Sequence, residues 1–94
     1  NEYMVIDMIE TYYNAGAKEK ALDLAKRFTE ELFVSTEFFL SYYDFAKREF
    51  ESCFNCISYT ADLADHFGDH EFAEGLRNRF NNMLGVDEEN ENPA

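Results

Sequence analysis

Two cysteines three residues apart, Cys53 and Cys56 in "CFNC", are the first residues here with the types and spacing for chemistry. A C-x-x-C pair can cycle between dithiol and disulfide or supply half of a zinc site. Redox pairs of this spacing sit at a helix N-terminus after a strand, where the helix dipole lowers the thiol pKa. Here Phe50, Cys53, Phe54, Ile57, Ala61 and Ala64 recur at helical spacing and place the pair inside a helix. Zinc needs four ligands, and the chain has no second cysteine pair. The pair is read as packing, with Cys53 inward and Cys56 partly exposed. A small redox or metal-binding protein is the third-ranked function.

His66 and His70 stand four apart among Asp65, Asp69 and Glu71, a cluster with the look of a metal site. Gly68 between them breaks the helix, so the two imidazoles need not share a face, and a polar turn between helices is expected. Neither histidine has a Ser or Cys partner in an identifiable catalytic motif. The four glycines are dispersed, with no phosphate-cradling loop. No catalytic, cofactor-binding or metal-ligating residues are assigned.

These residues depend on elements with a clear period. Val5, Met8, Ile9 and Tyr12 mark a first helix over about 2–14, ended by Gly16. Ala21, Leu24, Ala25, Phe28 and Leu32 mark a second, with an Asp23–Arg27 ion pair on its exposed side. It runs over 17–43 or stops near Ser35 and Thr36 and restarts. Asp44 is a candidate N-cap for a third helix over 45–67. Gly68 ends that helix, and Asp69 can cap a fourth over 70–84, striped by Phe72, Ala73, Leu76, Phe80 and Met83. Residues 85–94 are acidic and aperiodic, a disordered tail. No segment alternates with a period of two, so the fold class is all-α, in one domain over residues 1–84. A start at Asn1 rather than Met points to a piece of something longer.

Composition narrows the partners. The 94 residues carry a net charge of −12, with eight Lys and Arg scattered among twenty acids. Phosphate backbones are bound by clustered cations that release counterions, so nucleic acid is a poor partner. No apolar run approaches the ~20 residues that span a bilayer, so this segment is not expected to insert into a membrane.

The chain also repeats itself. "YNAGAKEKALDLAKRF" (13–28) and "DHFGDHEFAEGLRNRF" (65–80) align without a gap and share Gly16/Gly68, Glu19/Glu71, Ala21/Ala73, Leu24/Leu76, Arg27/Arg79 and Phe28/Phe80. Each copy straddles a helix, a glycine turn and the next helix: a helical hairpin written twice. "MIETYYNAGAKEKALDLAKRF" resembles a tetratricopeptide repeat in its order of Tyr12, Gly16 and Ala21. The spacing of 52 departs from that family's 34, and the second copy has Ala64 in place of Tyr12. The resemblance implies two stacked antiparallel hairpins in a right-handed array. It also implies a concave groove for a protein or peptide, lined by Tyr3, Ile6, Glu10, Tyr13 and Asn14 and, in the second copy, Asn55, Ser58, Asp62, Asp65 and His66.

Across residues 3 to 84, the order "YYNAGAKEKA", "FFLSYYDF", "ISYTADLADHFGDHEFAEGLRNRF" is similar to the C-terminal end of a bacterial membrane protein family. Its members carry a multi-spanning, protein O-mannosyltransferase-like domain upstream. That likeness implies an accessory extracytoplasmic domain that positions an acceptor protein. The block Phe38, Phe39, Tyr42, Tyr43 and Phe45 is either a partner surface or a crowded core. The leading expectation is a non-catalytic protein-interaction or scaffolding module, with the accessory role as the alternative.

Overall fold

A computed structural model of the chain describes residues 1–42 and 47–85, without the side chains of Phe39, 41–42 and 47–50. The expected Asp44 cap, Tyr43, Phe45 and the tail from Val86 onward lie outside the described residues, as do the side chains of Phe50, Phe39 and Tyr42. The described chain is all-α, with no strand: α1 (Glu2–Asn14), α2 (Lys18–Tyr42), α3 (Lys47–His66) and α4 (His70–Met83).

The two glycine turns are closed by the same hydrogen bonds. Ala17 N–H donates to the Tyr12 carbonyl at 2.9 Å, and Asp69 N–H donates to that of Ala64 at 2.8 Å. Gly16 N–H reaches Tyr13 O and Gly68 N–H reaches Asp65 O, both at 3.0 Å. This is the Schellman closure of a helix C-terminus, which requires a left-handed residue, and Gly16 (φ +77°) and Gly68 (φ +92°) supply it. Each turn folds a helix back on its predecessor, α2 on α1 and α4 on α3.

Continuity of α2 through Ser35 and Thr36 has a local cause. Thr36 is fully buried, and its hydroxyl donates to the Leu32 carbonyl one turn back at 2.7 Å. Thr29 and Thr60 do the same to Ala25 (2.8 Å) and Cys56 (2.7 Å). A hydroxyl satisfied inside its own helix can enter the core without breaking that helix.

The helices close on small residues. Ala21, Ala25, Ala61 and Ala73 are completely buried and Ala64 nearly so, which lets backbones approach around Ile9, Phe33, Ile57 and Phe80. The two hairpins lie side by side in the same direction. Tyr3 meets Tyr59 (ring centroids 6.2 Å apart) and Tyr13 stacks on Phe67 (4.7 Å), so α1 and α3 run parallel. Lys18 pairs with Asp69 and Arg79 with Glu30, so α2 and α4 do too.

Three apolar positions differ from the sequence reading. Met8 is half exposed, and α1 turns Tyr13 inward beside the expected Ile9. The reason is that α1 is flanked by both α2 and α3, which rotates its buried arc toward α3. Phe54 is 43% exposed, resting edge-on against Phe80 of α4 (5.2 Å) rather than enclosed in the core. Cys56, not Cys53, is the fully buried thiol.

At Gly68 an added Cβ would meet no atom within 4 Å, so only the left-handed backbone resists a side chain. Gly68→Ala should lower stability by about 1 kcal/mol, measured by urea unfolding. An unchanged midpoint would mean that the turn relaxes freely.

Candidate functional site

The thiols come first. Cys56 projects from α3 into the core beside Ile57 and Phe80. Burial, then the charges of Glu2 and Cys53, push its thiol above the usual range. That arrangement opposes the thiolate both nucleophilic and metal-binding chemistry require. The histidines diverge, as a broken helix dictates: His66 lies edge-on to Phe67 (4.9 Å), and His70 Nδ1 is 2.9 Å from Asp65. Among the described residues no three His, Cys, Asp or Glu side chains could hold a metal together.

Asp69 occupies the N-cap position of α4 but makes no side-chain cap. Its carboxylate turns to the other hairpin. It accepts from the Tyr13 hydroxyl at 2.7 Å and from Lys18 Nζ at 3.0 Å, and its side chain is 10% exposed. Burial works against its charge, but the Tyr13 hydroxyl and the Lys18 ammonium outweigh it, and the carboxyl is held below the usual range. Burial and the adjacent carboxylate together raise the Tyr13 phenol far above its ordinary value. Tyr13, expected on a groove, is thus 6% exposed and joins the two turns.

The rest of the groove read from the resemblance is split. Ile6 packs against the core, and Tyr3 leans on Tyr59, an exposed ring the sequence reading passed over. Glu10, Asn14 and His66 are exposed, and Asn55 and Ser58 are half-buried. The acids are engaged. Arg77 on α4 donates to both Asp62 (2.8 Å) and Asp65, and Asp65 also faces His70. The hydrogen bonds from His70 and Arg77 hold the Asp65 carboxyl below the usual range. Asp62 and Asp65, expected on the groove, are thus engaged by α4. Of the aromatic block, Phe38 is half exposed, and the other side chains lie outside the described residues.

A concavity of about 720 Å³ lies instead between α2 and α4. Thr29, Phe72 and Leu76 form its floor, with Leu22 and Lys26 along α2 and Glu71 and Gly75 along α4. Arg79 closes one end, pairing with Glu30 across the groove while its guanidinium lies 4.2 Å from the Phe33 ring centroid. Gly68, Asp69 and His70 form the other end. Gly75 is the unexplained residue. It lies in the middle of α4 without a positive φ, and an added Cβ would touch nothing within 4 Å. Mid-helix glycine costs roughly 1 kcal/mol relative to alanine, and nothing among the described residues requires one here. A glycine among strong helix formers was the signal available in the sequence.

Comparison with family models, with curated proteins and with solved structures found no match for this chain.

The Asp69 geometry carries a pH signature. A carboxyl whose folded pKa is depressed contributes stability above its unfolded value, and that stability is lost as pH falls through the folded value. Asp69→Asn should cost about 1–2 kcal/mol at neutral pH, with the difference from the native chain fading below about pH 4. Urea unfolding of both chains over this range checks it; a pH-independent difference would contradict it.

Proposed function

We propose that this chain is a non-catalytic protein-interaction module, two helical hairpins stacked in the manner of tetratricopeptide repeats. Three features support the stacking: the identical turn closures, the parallel course of corresponding helices, and buried Ala21 and Ala73 at matching positions. The observation that carries the interaction reading is Gly75. It keeps one wall of the α2–α4 groove bare at a cost in helix stability that the fold itself does not recover.

A bare helix wall beside an apolar floor suits close approach by another backbone. The groove offers Phe72 and Leu76 below and Lys26, Glu71 and Arg79 at its rims, which matches an amphipathic peptide with charges of both signs. On this reading the contact surface lies on the second helix of each hairpin. On the first helices, Tyr13 and Ile6 are committed to packing, and Asp62 and Asp65 to Arg77.

Gly75→Ala should stabilise the chain by about 0.5–1 kcal/mol, because the position is helical and open. Peptides selected from a displayed random library against the native chain should lose binding to Gly75→Leu, which fills the groove. If no peptide is enriched, or if selected peptides bind Gly75→Leu equally well, the interaction reading fails.

A further inference from the structure

The two outer faces of the helical layer differ. The α4 face is polar: Glu71, Glu74, Asn78 and Asn82 are all exposed. The outer face of the α1–α2 hairpin is apolar. Met4 is 63% exposed and Met8 50%, beside half-buried Val5, Tyr12, Leu24 and Phe28. Stacked helical hairpins stay soluble when their terminal faces are polar, and only one face of this layer meets that condition.

The apolar face is also electrically polarised along its length. Lys20, Asp23 and Arg27 surround a groove of about 210 Å³ floored by Met8, Tyr12 and Leu24, with Lys20 nearest the glycine turn and Arg27 midway along the face. At the opposite end, Glu2 and Glu31 flank a second groove of about 360 Å³ over Val5 and Phe28. Asp23 pairs with Arg27, and among the described residues no ion pair engages Lys20, Glu2 or Glu31. Of these charges, the unpaired ones are thus positive toward the turn, at Lys20, and negative at the far end, at Glu2 and Glu31.

We propose that this face binds a second copy of the chain about a two-fold axis perpendicular to α1. The two-fold reverses the partner, so Lys20 of each copy meets Glu2 and Glu31 of the other while the methionine stripes cover one another. An isologous contact of this kind closes on itself. It leaves the two polar α4 faces outermost, which gives the pair the solvated ends that one copy lacks. The α2–α4 grooves stay open, so this pairing is independent of the peptide-binding reading.

Sedimentation of the whole chain under reducing conditions is the test. A concentration-dependent species of twice the 11.0 kDa chain mass, weakened by salt, is expected. Met4→Glu with Met8→Glu, both at exposed positions, should raise the dimer Kd by at least about tenfold while leaving the helical circular dichroism unchanged. Lys20→Glu should weaken the dimer, and adding Glu31→Lys should restore it by exchanging the charges across the interface. A chain that stays monomeric overturns the proposal. So does a dimer that survives the methionine substitutions, or one not rescued by the charge exchange.

Discussion

A carboxylate shared between two turns holds this structure in register. Asp69 closes the second glycine turn through its backbone and, through its side chain, takes the Tyr13 hydroxyl and the Lys18 ammonium of the first. Beside it, the Tyr13 ring lies flat on Phe67, with 2° between the ring planes. A buried charge is tolerable only where charge-assisted hydrogen bonds replace its lost water, and here both replacements come from the neighbouring hairpin. The contact therefore penalises sliding or separation of the hairpins more than apolar packing alone would. With the turns fixed together, the helices leading from them must run side by side. That alignment brings Arg79 of α4 to Glu30 of α2.

The same constraint shapes the surfaces. Side-by-side hairpins leave a furrow between α2 and α4, and Gly75 leaves one furrow wall without a side chain. They also give the layer two unlike ends, with polar side chains beyond α4 and methionines beyond α1. Meanwhile α4 sends Arg77 across to α3, where it occupies Asp62 and Asp65, which would otherwise face solvent. On the proposed readings, interaction capacity thus sits in the grooves and on the end face rather than in an isolated charged cluster.

The helices were legible because apolar spacing and glycine position are local signals. Gly16, Gly68, Ala21 and Ala73 could be assigned from the repeat, since a turn and a close approach each admit few residue types. Asp69 was misread because an Asp before a helix fits a local cap, and Tyr13 lies 56 positions away. Met8 and Tyr13 exchanged places because a helix with two neighbours buries an arc that its own stripe does not centre. Thr36 left the course of α2 open because a threonine can either break a helix or bond back one turn, and only burial selects the second. The acidic groove residues were visible as charges, but Arg77, their partner, stands on another helix.

The most direct test of the tie between the turns is a double-mutant cycle on Tyr13→Phe and Asp69→Asn, read by urea unfolding at neutral pH. The account predicts that the double variant loses less than the sum of the singles, with a coupling of about 1 kcal/mol or more, as expected of a hydrogen bond to a buried charge. Strict additivity would mean that the two side chains act separately and that the hairpins are aligned by apolar packing alone.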